Sequence, residues 1–414
     1  MKPKTRVLWY FGVVIIGFLV WGVFAYSMTY VRHTGYPLNS FLYSSLDRFM
    51  DFYNVNKMVS ERNPYVEYYS SYPPLALVLA YPFSLFVPYK DYEYPVHGVM
   101  HLPMAELSIL IFMIIYSVWI VIGLFLYIRR EKLVVNPVIA LGISIIMLVS
   151  APYCFMVDRG NFLVIAIACM VMFLLLYGKN DIAAAIFLGF AIALKIYPAF
   201  LLILLFIDKK WKPIRVTLSF SIIISLISFL FFKGGYINNL KEFIYAVFSF
   251  GGAPGPVAAY VHYCIGLTSL LRLPFLIWNH FEVPESFPLF PVYFVIGTGL
   301  SVWSMLCLRN EKVFAKKLMI LSILMIFLTP NSYIYNGTYL IPACLAYICH
   351  GEKEKKVHDL FYLITMGLFM IPKAYYYIYP EHLINIAVPI DSILLLIIVL
   401  YYNIADHDTR KVRE

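Results

Sequence analysis

Charge is what this sequence has least of. Only 13% of its 414 residues are charged, against roughly 25% in an average soluble domain. That excludes an ordinary water-soluble fold before any motif is considered. Cysteine is also sparse. The six are Cys154, Cys169, Cys264, Cys307, Cys344 and Cys349, mostly in apolar runs and with no C-x-x-C pair. Small buried hydrophobes account for them better than disulfides or metal ligands. The histidines show no metal-ligand spacing. A Walker loop, a Rossmann fingerprint, G-x-S-x-G and H-E-x-x-H are all missing, which removes the common nucleotide-driven and hydrolytic chemistries. No low-complexity segment and no convincing internal repeat is found, so the inverted-repeat plan of many transporters has no support.

Apolar and aromatic residues fill the space that charge leaves. Hydrophobic residues make up 62% of the chain, and mean hydropathy is +0.79. The 35 tyrosines and 33 phenylalanines include tyrosines clustered near segment ends, as interfacial belts do. The sequence is that of an all-α polytopic membrane protein. Its formal charge of +9 reads as cytoplasmic anchors and not as a nucleic-acid footprint.

Long apolar runs lie at about 7–28, 104–128, 134–155, 214–232, 288–308, 359–379 and 382–404, with shorter ones at 161–177, 182–194, 196–207, 318–330 and 338–349. The first run is too long for a signal-peptide core and is expected to be a retained span. Lys/Arg clusters at 129–132, 209–212, 309–317, 353–356 and 410–413 belong in the cytoplasm by the positive-inside rule. That rule then predicts about twelve spans with both ends inside. Residues 1–414 form a single transmembrane domain in this reading. Outer loops 29–103 and 233–287 carry surface helices, at Pro74–Val87 and at 261–278. The hairpins 182–207 and 318–349 turn on the outer side, at Lys195-Ile196-Tyr197-Pro198 and at Thr329-Pro330-Asn331-Ser332-Tyr333.

Candidate chemistry gathers on that outer face. Asp47 and Asp51 stand at i and i+4, on one face of a helix if the segment is helical. Either is a candidate general base, or both are solvated loop acids. Lys195 sits in an apolar stretch where a cation is costly. Either it snorkels to headgroups or it meets an anion such as a phosphate. Arg159, beside Gly160 and Asn161, either pairs with Asp158 or helps to hold that phosphate. The turn with Tyr335 and Asn336 either lines a sugar pocket or is an interfacial turn.

Taken in order, these residues resemble the lipid-phosphate-sugar-dependent transferases of the GT-C fold. They are most similar to the bacterial polyprenyl-phosphate-mannose-dependent mannosyltransferases, glycosyltransferase family 87. The resemblance runs through Asp51-Phe52-Tyr53, Asn63-Pro64-Tyr65, Tyr72-Pro73-Pro74-Leu75 and Pro82. It continues through Arg159-Gly160-Asn161, Ala191 to Lys195 with Pro198, and Pro330-Asn331-Ser332, covering about residues 45–345. Two features of the family pattern differ: the glutamine of its G-Q-x-N turn and the paired histidines some members carry after P-x-S are replaced.

The resemblance implies a GT-C-like bundle with outer juxtamembrane helices. It implies an inverting transfer of a mannose-like hexose from polyprenyl phosphate to a lipid or glycan acceptor, at the outer face of a prokaryotic plasma membrane. Asp51 would be the base, with Asp47 the runner-up. Lys195, with Arg159, would stabilise the departing phosphate. Tyr72, Asn161, Tyr197, Tyr335 and Asn336 would contact substrate. A lipid-phosphate leaving group implies no obligatory metal or other cofactor. The rival readings are a polysaccharide polymerase or ligase, a transporter of lipid-linked sugars, and a non-catalytic scaffold. The polymerase reading is weakened because loop 233–287 holds one arginine, Arg272.

Overall fold

A computed structural model describes residues 1–32, 48–252, 264–278, 288–330, 332–351, 356–373, 376–379, 382–385 and 387–406. The chain divides into two compact units. The first comprises 1–38, 128–153 and 254–414, and the second comprises 39–127 and 154–253.

Helices dominate both. Five described helices are long and apolar enough to cross a membrane: α1 (Pro3–Arg32, its apolar part Pro3–Phe24), α4 (Pro103–Arg130), α10 (Trp211–Ser228, continued to Phe231), α13 (Leu289–Arg309) and α17 (Ala387–Tyr401, continued to Asp406). Leu8, Ile16 and Leu19 on α1 and Leu110 and Ile122 on α4 lie exposed, as side chains that face lipid must. The chain is therefore an integral membrane protein with an all-α polytopic fold.

Among the described residues the expected twelve spans are not matched by twelve long helices. Several short apolar runs form helices of their own length. α9 (Leu202–Ile207) has 6 residues, and α7 (Leu163–Leu176) and α8 (Asp181–Leu194) have 14 each. At 1.5 Å per residue that is about 21 Å, short of the ~30 Å hydrocarbon core. The run 134–155 breaks into α5 (Pro137–Ile146) and α6 (Ala151–Arg159). Pro152 supplies no amide for the Leu148 carbonyl, which accepts from Ser150 N at 2.8 Å instead. The run 359–379 stops as α16 (Lys356–Met370), just before Pro372. Its tyrosine-rich remainder forms strand β1 (Tyr376–Tyr379). This pairs antiparallel with β2 (His382–Asn385) in the register Tyr376↔Asn385.

In the first unit α1 packs on α16, and α14 (Phe314–Phe327) packs on α15 (Leu340–His350). α17 lies against α14, α16 and α12 (Leu267–Trp278). Nearly every residue of α14 and α15 is buried, so this pair is the unit's core.

The second unit is built on α7, α8 and α10. Small residues of α8 allow the approach. A Cβ on Gly189 would stand 3.1 Å from the Thr217 carbonyl, and the Thr217 hydroxyl donates to the Ala185 carbonyl at 3.0 Å. Short helices α2 (Met50–Ser60) and α3 (Pro74–Ser84) pack on each other, and α3 rests on α8 and α10. The Asn63-Pro64-Tyr65 segment is an anchor in this arrangement. Arg62 Nε donates to the Phe231 carbonyl at 2.8 Å, and Tyr65 is enclosed by Phe229, Phe232 and Phe243 on α11 (Tyr236–Gly252) and the residues before it.

Candidate active site

Asp51 sits in the first turn of α2, where the helix dipole favours a carboxylate. The residue that opens this helix, Phe49, holds a left-handed backbone (φ 59°), which costs a bulky side chain roughly 1–3 kcal/mol. Its N–H donates to the Asp158 carbonyl at 2.7 Å, fixing the start of α2 to the end of α6.

That end of α6 is a Schellman stop. Asn161 N donates to the Met156 carbonyl at 3.0 Å and Gly160 N to the Val157 carbonyl at 2.9 Å, with Gly160 at φ 65°. Gly160 is required twice over. Its backbone is left-handed, and a Cβ there would come within 2.7 Å of Ile109 and Phe52.

The turn delivers two donors to one carboxylate. Arg159 donates to Asp51 Oδ1 through Nε at 3.1 Å and also through Nη2. Asn161 Nδ2 donates to Asp51 Oδ2 at 2.7 Å. The other amide atom of Asn161 accepts from Leu163 N at 2.9 Å, capping α7. The next residues repeat the pairing in apolar form: Phe52 stacks on Phe162 with ring centroids 5.7 Å apart, and both meet Phe112. Asp51 remains 13% exposed and Arg159 20%. A carboxylate offers about four lone-pair sites, and these three hydrogen bonds leave one on Oδ2.

Lys195 occupies the break after α8. Its backbone is extended, and Pro198 three residues on cannot supply the amide that would continue the helix. Burial lowers the Lys195 ammonium to about 8, and the Asp51 carboxylate opposes that shift. Its Nζ stands 5.6 Å from the centre of the Tyr197 ring. Tyr72 belongs to the same group. Burial raises its hydroxyl well above the usual tyrosine range, the Asp51 carboxylate adds to the rise, Arg159 opposes it, and Tyr197 is a further neighbour. The Tyr72 carbonyl accepts from the Tyr65 hydroxyl at 3.0 Å.

Six of the residues singled out from the sequence therefore meet in the second unit: Asp51, Tyr72, Arg159, Asn161, Lys195 and Tyr197. The Arg159 side chain, for which Asp158 was one expected partner, reaches Asp51 across 108 positions of sequence. Nothing in local spacing announces that pairing. Asp47 lies outside the described residues, as does Asn331.

Tyr335 and Asn336 fall in the first unit, in a 3-10 turn at Ile334–Tyr339. Tyr335 stacks on Tyr333 at 5.3 Å. Asn336 Nδ2 donates to the Ser332 hydroxyl at 3.3 Å, and both residues are buried. Among the described residues no three His, Cys, Asp or Glu side chains form a group that could hold a metal ion.

The family model for glycosyltransferase family 87 matches residues 69–330. The chain belongs to glycosyltransferase family 87. It is thus a membrane glycosyltransferase, acting on a sugar donor and an acceptor. The match includes Tyr72, Arg159, Asn161, Lys195 and Tyr197. It begins after Asp51, which the structure joins to the matched region through Arg159 and Asn161. Among curated proteins, none matches this family 87 chain.

Proposed function

We infer that this glycosyltransferase moves a hexose, mannose-like, from a polyprenyl-phosphate donor to a lipid or glycan acceptor with inversion, on the outer face of a prokaryotic plasma membrane. The observation that carries the reading is the Asp51 carboxylate, held by Arg159 and Asn161 with a lone pair of Oδ2 to spare and with Lys195 in electrostatic reach.

The acceptor hydroxyl donates to Asp51 Oδ2. As its oxygen attacks the anomeric carbon, its proton passes to the carboxylate. The bond from the anomeric carbon to the phosphate oxygen breaks on the opposite face, and its electron pair leaves on the polyprenyl phosphate. Lys195 stabilises that developing charge from a fixed position in a partly buried site. Arg159 and Asn161 hold the base, so their contribution is orientation. Tyr72 and Tyr197 supply surface around the reacting sugar. The outer-face assignment rests on the Lys/Arg clusters, which place the Lys195 turn opposite the cytoplasm.

The test uses purified protein in nanodiscs with radiolabelled polyprenyl-phosphate hexoses and a membrane lipid extract as acceptor pool. Release of polyprenyl phosphate from one donor, lost in Asp51→Asn, is the expected result. Turnover retained in that variant would remove Asp51 as base while leaving the donor class. No turnover and no binding of any donor would overturn the reading in favour of a polymerase or a transporter.

A further inference from the structure

The segment between α2 and α4 carries a cleft of about 600 Å³, unassigned by the chemistry above. Small-molecule sites run from roughly 300 to 1,000 Å³. Three tyrosines line it: Tyr68, Tyr92 and Tyr94. The rings of Tyr68 and Tyr94 meet at 5.5 Å with their planes tilted by 60°, and Tyr94 is 48% exposed. Each offers an apolar face and a polar tip. A pyranose ring is built the same way, with a C–H face and a rim of hydroxyls.

The remaining lining supplies partners for those hydroxyls. Glu67, Asp91 and Glu93 are exposed at the cleft, and each carboxylate is an acceptor with several lone-pair sites. Two lysines also line it, and one of them, Lys57, is already engaged by Glu61 at 3.1 Å. Three carboxylates against two lysines leave a net negative lining. A phosphate is repelled there, whereas a neutral, hydroxyl-rich ligand is not.

Position adds a second argument. Tyr94 is an electrostatic neighbour of Tyr72, which is in turn a neighbour of Asp51 and Arg159. Lys57 of the cleft lining also follows Asp51 on α2, about 9 Å further along the helix axis, so the cleft and the base share one helix within the same unit of the fold.

We propose that this cleft binds the neutral sugar units of a glycan acceptor, next to the hydroxyl that Asp51 deprotonates. The proposal rests on the reading of Asp51 as base, and it narrows the acceptor to one that carries sugar residues. The donor phosphate belongs with Lys195, and the acceptor glycan with the three tyrosines.

The experiment titrates the full chain in nanodiscs, without donor, with a panel of neutral gluco-, galacto- and mannotrisaccharides, followed by saturation-transfer NMR. At least one trisaccharide binds. Tyr94→Ala, at a half-exposed position, weakens its Kd about tenfold, and Glu93→Gln weakens it by a smaller factor. A trisaccharide phosphorylated on one hydroxyl binds less well than its neutral form. Absence of binding across the panel overturns the proposal, and so does binding that neither substitution alters. Donor turnover is scored separately. Trisaccharide binding with no polyprenyl phosphate released from any donor would retain the cleft and reject the transferase mechanism. Turnover with unaltered binding in both variants would do the reverse.

Discussion

Among the described residues each unit encloses paired charged side chains, and the two units build them differently. In the first unit Asp359 accepts from Arg6 Nε at 2.9 Å, the Tyr347 hydroxyl at 2.9 Å and the chain's amino terminus at 2.9 Å. Arg6 also donates to the Gly351 carbonyl at 2.6 Å. Nearby in kind, Lys316 pairs with Asp406 at 2.6 Å, and Tyr362 donates to the same carboxylate at 3.0 Å. Asp359, Lys316 and Asp406 have no solvent exposure.

In the second unit Asp51 has its own arginine and amide, yet it keeps an exposed edge and an uncommitted lone pair. Closed networks tie helices together, whereas an open one leaves room for a substrate atom. The difference lies in access, since Asp51 keeps part of its side chain exposed and Asp359 and Asp406 keep none, and not in the residue types.

Substitution separates the two. The largest effect is expected at the open site: Asp51→Asn lowers the transfer rate about a thousandfold, near 4 kcal/mol, with the unfolding midpoint unchanged. Radiolabelled transfer beside a thermal melt in detergent checks both halves. Asp359→Asn does the opposite. It leaves Arg6 buried with its ion-pair partner neutralised and costs about 3 kcal/mol of stability, read by denaturant titration, while the rate per folded molecule holds. Should Asp359→Asn abolish transfer in correctly folded protein, the division into structural and catalytic charge fails.

Gly160→Ala tests the joint between fold and chemistry. A left-handed alanine costs about 1–2 kcal/mol, and its methyl meets Ile109 and Phe52. Both the melting temperature and the rate fall in this variant, because the same turn ends α6 and orients Asp51.

The smallest effect is a pH limb. Lys195 is charged below about pH 8 and loses its proton as pH rises through that value. The rate then falls about tenfold per pH unit on the alkaline side. Lys195→Arg keeps its charge across this range, so its alkaline limb is displaced upward even if its maximal rate is lower. An unshifted limb would assign the titration to another group.

Much of the fold was legible because apolar run length and Lys/Arg placement act locally. α1, α4, α10 and α13 coincide closely with the expected runs. The run 134–155 is bent at Pro152, and the helix of the run 359–379 ends before Pro372, where one imino acid outweighs continuous hydrophobicity. In the site, Lys195 stood out because a lone cation in an apolar stretch is costly. The ion pair of Asp51 with Arg159 did not, since it depends on how a glycine turn and a left-handed phenylalanine bring two distant helix ends together. The Asn63-Pro64-Tyr65 segment was visible as a motif, but its packing on the aromatic cluster around Phe229 was not.

On the proposed reading of Asp51 as base, its single open lone pair bears on product structure. A base that can receive one proton from one direction activates one hydroxyl of a polyol at a time. Which carbon of the acceptor ring becomes glycosylated is therefore decided by how the acceptor is rotated when it arrives, and not by the base's intrinsic preference among alcohols. On that reading linkage position is a property of the walls that grip the acceptor, and remodelling those walls is expected to change the isomer formed while the carboxylate stays the same.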